Sequence, residues 1–338
     1  MIEKPDIRDE KIIAALNENY SILVSHFEFL PIGNDASAFS YRVEAKNGNL
    51  YFLKIKTKLS NLAGQVVPRF LKDHGIEQVI APISTNQQKL IFELDGFALI
   101  LYPFILGREA MQVGMSDLQW KEFGSILRRI HNMNLPSDIS QYVSRETFLP
   151  KWSGLSRELS KQVNTQNYED PYQKELARFW KGNHETIETI IERAETIGVH
   201  LGQMHLDFVL CHADIHTANI LITDEQDMFI VDWDDTLLAP KERDLMFVLG
   251  GDARTREEQM FFSGYGELEI NRLALAYYRY EWCVQEIGDF GTRVFLTRDA
   301  GEETKQHAVE EFIKLFSEGD VVEAAFNTPF KSEIRNHA

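Results

Sequence analysis

The fold is decided by the stretch Cys211-His212-Ala213-Asp214-Ile215-His216-Thr217-Ala218-Asn219, which Ile230-Val231-Asp232-Trp233-Asp234 follows along the chain. Between the two segments, the short apolar runs 220–222 and 228–231 flank the polar residues 223–227, a pattern that predicts a β-hairpin. The first strand begins directly after Asn219 and the second ends at Asp232. These two side chains are therefore predicted to emerge at the same end of the hairpin.

Four residues of these segments, His212, Asp214, Asn219 and Asp232, have the spacing of a phosphoryl-transfer catalytic loop. In such a loop one aspartate accepts the proton of the attacking hydroxyl. The asparagine and the second aspartate hold Mg²⁺ on the nucleotide phosphates. Acidic and amide side chains in a surface hairpin are often only turn formers, but four matched residue types at matched spacing predict an ATP-using enzyme.

The composition is that of a soluble globular protein. Of the 338 residues, 44% are hydrophobic and 26% charged, and 35 basic against 52 acidic residues give a net charge of −17. This charge disfavours nucleic acid and anionic membranes as partners. Two cysteines imply no disulfide framework, the N-terminus has no signal-peptide pattern, and the longest apolar run, 97–106, is too short for a membrane span. A cytoplasmic protein is expected, with its oligomeric state left open.

The order of predicted elements divides the chain into two lobes. A helix at 9–19, strands at 22–32, 38–45 and 50–55, a helix at 61–74, and strands at 89–94 and 97–103 indicate a β-rich N-terminal, nucleotide-binding lobe at 1–104. Asn47-Gly48 is typical of a type I′ turn, which needs positive φ at both central positions. Residues 105–338 are predicted to form a mainly helical catalytic and substrate-binding lobe. Its first helix follows the N-cap Ser116, and further helices are expected near 172–197, 254–263, 271–288 and 302–317.

Candidate phosphate-binding residues lie in the N-terminal lobe. Lys54 and Lys56 share one face of the strand after Asn47-Gly48, so either could neutralise the nucleotide phosphates, and Lys54 is preferred because three apolar or aromatic residues precede it. The loop between the first two strands, with Gly33 and Ser37, is where a phosphate-covering loop is expected. It is not a G-x-G-x-x-G sequence, and a tight turn would explain Gly33 equally well.

Candidate substrate residues are acidic and aromatic. Asp234 follows Asp232 by two positions, and Tyr278, Glu281 and Trp282 share a helix face, with Glu286 nearby. Such residues suit a small cationic substrate, because carboxylates pair with protonated amines and an aromatic wall shapes the site. A solvated turn for Asp234, and a core face for the helix residues, are the structural alternatives.

Taken together, the sequence resembles the aminoglycoside phosphotransferase family over nearly its whole length. The motifs that carry the resemblance are Phe52-Leu53-Lys54, Tyr102-Pro103-Phe104, His212-x-Asp214-x-His216-x-x-Asn219, Val231-Asp232-Trp233 and Ala239-Pro240-x-Glu242-Arg243-Asp244-Leu245. The resemblance implies an α+β, bilobal protein-kinase-like fold, and transfer of the γ-phosphate of ATP or GTP, with Mg²⁺, to a hydroxyl of an antibiotic or small metabolite. It implies that Asp214 is the catalytic base, that Asn219 and Asp232 bind the metal, and that Lys54 binds phosphate. Tyr102 and Phe104, at the predicted hinge, are assigned to the nucleotide.

Within this family the sequence looks most like the spectinomycin phosphotransferases. This resemblance makes spectinomycin the leading candidate acceptor. A metabolic kinase for choline, homoserine or methylthioribose is the alternative enzyme, and a nucleotide-binding pseudokinase is the non-enzymatic alternative. The sequence departs from the protein-kinase pattern at two places, and one of them is Ala213, which stands where protein kinases have the arginine that reads activation-loop phosphorylation. The predicted helix at 61–74 has Leu62 and Gln65, and no glutamate, where a partner of Lys54 is expected.

Overall fold

The computed structural model describes residues 4–32, 38–57, 59, 61–250, 255–297 and 301–330. The described residues form two compact units. The first unit comprises residues within 1–145, 210–238 and 263–265, and the second comprises residues within 146–209, 239–262 and 266–338. This division differs from the lobes predicted at 1–104 and 105–338, which remain a prediction.

The first unit contains a five-stranded antiparallel sheet in the order β1-β2-β3-β5-β4. Its elements from the N-terminus are α1 Asp9–Tyr20, β1 Val24–Leu30, β2 Ala38–Ala45, β3 Leu50–Lys56, α2 Ala63–Asp73, β4 Phe92–Leu94 and β5 Phe97–Pro103. The helix-strand-helix-strand order predicted from the sequence is confirmed. The predicted strand at 89–94 is shorter in the structure, because it is paired only along β4.

One face of this sheet packs against α1 to form the core of the unit. Leu53 and Ile55 of β3 are fully buried with Ile12 and Leu16 of α1. Because successive side chains of a strand point to opposite faces, burial of these two places Lys54 and Lys56 together on the other face. The alternation read from the sequence is therefore confirmed.

The turn at Asn47-Gly48 is not the predicted type I′ turn. Only Gly48 of this pair has positive φ, at 85°. Gly48 N donates to Ala45 O, and Ala45 N donates to Asn49 O. This is a three-residue hairpin loop with glycine in the left-handed position. The two-residue turn occurs instead at Asp95-Gly96, where φ is 51° and 84°.

The predicted catalytic hairpin is present as part of a three-stranded sheet, and a second three-stranded sheet is formed by other strands of the chain. The following elements of the chain are β6 Gly107–Glu109, α3 Ala110–Val113, α4 Asp117–His131, α5 Ser137–Ser140 and β7 Ser144–Arg145, and later β8 Val209–Cys211, a 3₁₀ turn Thr217–Asn219, β9 Ile220–Thr223, β10 Met228–Ile230 and β11 Leu237–Ala239. The sheets have the orders β10-β9-β6 and β7-β11-β8. Ser116 caps α4 through a capping box with Gln119, as its sequence predicts.

The second unit is helical and is built around one long helix. Its helices are α6 Ser153–Thr165, α7 Pro171–Gly182, α8 His184–Gln203, α9 Glu242–Leu245, α10 Arg256–Tyr265, α11 Arg272–Phe295, α12 Glu302–Lys314 and α13 Val321–Phe326. The last three residues of α10 are assigned to the first unit. α11 contacts α6, α8, α12 and α13. The prediction of a single helix at 172–197 is wrong, because one helix ends and the next begins at Asn183. The backbone N–H and the side chain of Asn183 both donate to Phe179 O.

Each unit holds one of the two cysteines. Cys211 of β8 and Cys283 of α11 are both fully buried, and neither of them forms a disulfide. Burial raises the pKa of Cys283 above its ordinary value. Among the described helices, none is long and apolar enough to cross a membrane.

A pair of glycines on α8 tests the packing of the second unit. A Cβ at Gly198 would collide with the carbonyl oxygen of Phe148 and lie 3.0 Å from the Tyr277 ring. Gly198→Ala should therefore lower the free energy of unfolding by about 1–3 kcal/mol, the usual cost of overpacking. The measurement is urea denaturation followed by circular dichroism.

Gly202→Ala is the matched control on the same helix. A Cβ at Gly202 meets no atom within 4 Å, so the better helix propensity of alanine should leave stability unchanged or raise it by about 0.5–1 kcal/mol. Equal destabilisation by both substitutions would contradict the close approach at Gly198.

Candidate active site

Two lysines and two aspartates meet in the first unit. Lys54 Nζ donates to Asp232 Oδ1 at 3.1 Å and to Asp234 Oδ2 at 2.6 Å. Lys56 Nζ donates to the same Asp234 oxygen at 2.7 Å. The strand places both ammonium groups on one face, and the chain after β10 places both carboxylates opposite them. The preference for Lys54 over Lys56 has geometric support, because only Lys54 bonds to Asp232 in these contacts.

The electrostatics of this cluster favour the charged forms. Burial by itself would lower the pKa of Lys54, but the charges of Asp232 and Asp234 outweigh it and raise that pKa above its ordinary value. Burial would likewise raise the pKa of Asp234, but Lys54 and Lys56 lower it well below its usual range. Both groups are therefore ionised at neutral pH, and Lys54 and Asp234 form an ion pair rather than a neutral hydrogen bond.

Asp214 lies in the loop after β8 and is contacted by two other polar side chains of that loop. Asn219 Nδ2 donates to the backbone oxygen of Asp214 at 2.8 Å and to its Oδ2 at 3.0 Å. His216 Nε2 lies 3.4 Å from Asp214 Oδ1. His216 Nδ1 also accepts from Ala218 N at 3.2 Å, which caps the 3₁₀ turn. The turn thus fixes the imidazole and the amide that orient the Asp214 carboxylate.

His212 joins the Asp214 loop to the Asp232 segment. Its Nδ1 accepts from Asp214 N at 3.2 Å, and its Nε2 lies 2.9 Å from Val231 O. A backbone N–H can only donate and a carbonyl can only accept, so the ring is the neutral tautomer with the proton on Nε2. The ring is fully buried and packs against Trp233 at 4.6 Å between centroids.

Two residues next to these contacts have left-handed backbone. Ala213 has φ of 73° and Asp232 has φ of 60°. Such conformations cost about 1–2 kcal/mol for a residue with a Cβ. They are maintained because the surrounding hydrogen bonds fix both segments, a combination that is common at functional sites.

Asn219 and Asp232 have the oxygen donors that a hard cation such as Mg²⁺ prefers. Strand pairing of Ile220 with Ile230, and the bond from Val231 N to Asn219 O at 3.0 Å, place the two at the same end of the hairpin as predicted. The amide nitrogen of Asn219 is used by Asp214, so its carbonyl oxygen is the end that can serve a metal. The Asp232 side chain is 48% exposed. These residues therefore fit a metal.

The structure describes two of the other predicted nucleotide residues, Tyr102 and Phe104. Tyr102 lies on β5 beside the lysine cluster, and burial raises the pKa of its hydroxyl above the ordinary value. Phe104 N donates to Leu50 O, and the guanidinium of Arg42 lies 5.5 Å from the Phe104 ring. Gly33 and Ser37 lie outside the described residues. A role in nucleotide binding stays a prediction for all four.

The predicted substrate residues do not share one set of partners. Asp234 belongs to the first unit, where Lys54 and Lys56 both bond to its carboxylate. Tyr278, Glu281, Trp282 and Glu286 lie on α11 of the second unit. Glu281 pairs with Arg243 at 3.2 Å, and Tyr278 is fully buried under the same guanidinium. Trp282 and Glu286 are partly exposed, and the indole donates to Glu286 at 3.1 Å.

The structure also assigns contacts that the sequence did not reveal. Lys56 shares Asp234 with Lys54, although the sequence presented the two lysines as alternatives. Gly64 of α2 approaches the Asp234 backbone so closely that a Cβ would lie 3.0 Å from Asp234 Cα. A pairing between residues about 180 positions apart leaves no local pattern. Only the x-Asp-x-Asp spacing and two lysines on one strand face could have suggested it.

The chain is similar to known phosphotransferases in its sequence and in its fold. The model of the phosphotransferase enzyme family (APH) matches residues 28–279. The crystal structure of spectinomycin phosphotransferase APH(9)-Ia in complex with ADP and spectinomycin is 32% identical, with a TM-score of 0.86 over 96% of this chain and 99% of that chain. A structure of the same enzyme bound to AMP is 31% identical, with a TM-score of 0.82 over 96% and 100%.

More distant structures share the fold alone. Choline kinase LicA from Streptococcus pneumoniae is 15% identical, with a TM-score of 0.54 over 90% of this chain and 97% of that chain. The predicted α+β, protein-kinase-like fold is confirmed by these matches, with a small antiparallel sheet near the N-terminus and a mainly helical remainder. The family model covers well over half of the chain, and the chain therefore belongs to the APH phosphotransferase enzyme family and is a small-molecule kinase.

Proposed function

We propose that this kinase transfers the γ-phosphate of ATP to a hydroxyl of a small cationic aminocyclitol or aminoglycoside antibiotic, with spectinomycin as the leading acceptor. The observation that carries the proposal is the convergence of Lys54, Asp232, Asp214 and Asn219 in one unit. Identity of 32% to a spectinomycin phosphotransferase, over 96% of the chain, supports the acceptor class. The physiological role would be antibiotic resistance in the cytoplasm.

In this mechanism Asp214 is the general base. Its carboxylate, held by Asn219 and faced by His216, takes the proton of the acceptor hydroxyl as the oxygen attacks the γ-phosphorus. The bond between the γ-phosphorus and the bridging oxygen breaks, and ADP leaves with that oxygen. Lys54 neutralises charge on the α- and β-phosphates. Asn219 and Asp232 would hold Mg²⁺, which when bound neutralises charge on the transferring group. We place the nucleotide on the N-terminal lobe, residues 1–104, with Tyr102 and Phe104 beside it.

The acceptor is assigned to the lobe formed by residues 105–338. On α11, Glu281 already balances Arg243, whereas Glu286 and Trp282 are partly exposed and joined through the indole N–H. A carboxylate beside an aromatic ring suits a protonated amine. We keep Tyr278, Glu281, Trp282 and Glu286 as candidate amine contacts, and the test below uses Glu286 because its carboxylate accepts a hydrogen bond from the indole of Trp282.

The test of the proposed function is a coupled assay of ADP release across a panel of acceptors. Spectinomycin and other aminocyclitols, several aminoglycosides, and the alcohols choline, homoserine and methylthioribose are each offered with ATP and then GTP. We expect ATP-dependent phosphorylation of an aminocyclitol. Turnover of a metabolic alcohol alone would replace the antibiotic by that substrate class, and nucleotide binding without transfer would indicate a pseudokinase.

Replacement of the proposed base should separate chemistry from binding. Asp214→Asn retains the shape of the side chain but cannot accept the hydroxyl proton, so kcat should fall on the order of 10²–10⁴-fold. Nucleotide affinity, measured by calorimetry with ADP, should change little. Asp224→Asn, in the exposed turn at the far end of the same hairpin, is the control. Near-normal turnover of Asp214→Asn would remove Asp214 from this role.

Replacement of the proposed metal ligands should change the response to Mg²⁺. Asp232→Ala should abolish Mg²⁺-dependent transfer, because a carboxylate is lost from a site that neutralises phosphate charge. Asn219→Ala should reduce Mg²⁺-dependent transfer less than Asp232→Ala does, since an amide oxygen carries no full charge. The measurement is a titration of initial rate against Mg²⁺. An unchanged Mg²⁺ dependence in Asp232→Ala would refute the assignment.

Neutralisation of Glu286 should change the KM for the acceptor but not the KM for ATP. If its carboxylate pairs with an amine of the substrate, Glu286→Gln should raise the acceptor KM by about tenfold or more, which corresponds to roughly 1.4 kcal/mol. The KM for ATP should not change. Asp289→Asn, on the same helix and paired with Arg293, is the matched control. Unchanged acceptor kinetics in Glu286→Gln would exclude this contact.

A further inference from the structure

The ammonium of Lys54 lacks the partner that a protein kinase provides. There the phosphate-binding lysine pairs with a glutamate of a helix in the N-terminal lobe, and that ion pair must form for phosphoryl transfer. Helix α2 of this chain contains no glutamate, and Lys54 Nζ donates to Asp234 at 2.6 Å instead. We propose that Asp234 is the positioning residue that holds Lys54 for phosphoryl transfer, an inference that rests on the function proposed above.

Lys56 allows Asp234 to remain charged when Lys54 engages a phosphate. The Asp234 side chain is only 27% exposed, and a buried carboxylate without a cation is costly. Lys56 Nζ, on a side chain that is 11% exposed, bonds to the same oxygen at 2.7 Å. Lys54 has one N–H donor left for the nucleotide, and Asp234 keeps a cation within bonding distance if its bond to Lys54 lengthens. This gives Lys56 a role of its own, whereas the sequence presented it only as an alternative to Lys54.

Helix α2 restricts the position of Asp234 from the other side. A Cβ on Gly64 would lie 2.9 Å from Asp234 Oδ1, 3.0 Å from Asp234 Cα and 3.1 Å from Trp233 O. The first turn of α2 therefore packs directly on the backbone of this segment. A carboxylate near a helix N-terminus is also stabilised by the helix dipole. The helix thus contributes through its backbone and its dipole, where other kinases use a glutamate side chain.

The same geometry disfavours Asp234 as an acceptor contact. Its Oδ2 already accepts hydrogen bonds from two ammonium groups. A substrate amine would have to displace one of them or add a third positive charge at close range. Removal of Asp234 should therefore change the rate of the chemical step, whereas removal of an acceptor contact changes the acceptor KM.

The experiment compares Asp234→Asn, Lys56→Gln and the double variant with the wild-type enzyme. The readouts are kcat, KM for ATP and for the acceptor, the Kd of ADP by calorimetry, and the thermal midpoint. In Asp234→Asn, kcat should fall about 10–100-fold, because misplacement of a catalytic group by about 1 Å has an effect of this size. The acceptor KM and the ADP Kd should each stay within about threefold. Lys56→Gln should give a smaller loss of kcat.

The double variant distinguishes positioning from charge balance. It removes one positive and one negative charge, so its net charge equals that of the wild type. If Asp234 positions Lys54, its kcat stays as low as that of Asp234→Asn. Recovery of wild-type kcat would instead show that Asp234 only balances Lys56. Lys11→Gln and Asp95→Asn, which break an exposed ion pair of the same unit, are matched controls and should not change any readout.

Two further outcomes would overturn the inference. A raised acceptor KM with unchanged kcat would make Asp234 a substrate contact, and a lowered thermal midpoint with normal kinetics would make it structural. Hydrolysis of ATP, in which water replaces the acceptor, is measured without any acceptor present. Its rate does not depend on the acceptor class. If the wild type neither phosphorylates an acceptor nor hydrolyses ATP, the proposed function fails. An active wild type whose rate survives in Asp234→Asn contradicts only this inference.

Discussion

The candidate active site depends on one buried imidazole. His212 accepts from the backbone N–H of Asp214 and bonds to the carbonyl of Val231, so one neutral ring sets the spacing between the loop with the proposed base and the segment with Asp232. The ring is fully buried and both bonds are partly buried, so a lost partner there would leave an unsatisfied polar group at a cost of about 1–3 kcal/mol. The left-handed residues Ala213 and Asp232 follow from this constraint, since each segment must turn sharply beside the ring.

The antiparallel pairing of β9 with β10 supplies the second constraint. Because the hairpin brings Ile220 and Ile230 opposite each other, Asn219 and the residues after Val231 leave it at one end. The amide of Asn219 then bonds to Asp214, which closes a ring of contacts through His212, Asp214 and the hairpin. The hydrogen bonds from Lys54 and Lys56 to Asp232 and Asp234 join the N-terminal sheet to these contacts. Each functional group is thus held by at least one element other than its own.

Much of this site could be predicted from the sequence because its central part is local. The spacing of Asp214, Asn219 and Asp232 belongs to one hairpin, and strand alternation places Lys54 and Lys56 on one face. The partners of Asp234 could not be predicted, because they join residues far apart in the chain and leave no periodic signal. The turn at Asn47-Gly48 shows a related limit, since one dipeptide suits two loop lengths and strand register decides between them. The break at Asn183 was hidden because helical periodicity continues on both sides of it.

The two cysteines give each unit an internal reporter. Cys211 belongs to the first unit and Cys283 to the second, and each side chain is fully buried. A buried thiol reacts with an alkylating reagent only when its surroundings open. The rate of modification at each position therefore measures the opening of one unit, and the two rates show whether the units open together or separately. Because the sequence has no other cysteine, these rates can be followed without introducing a label.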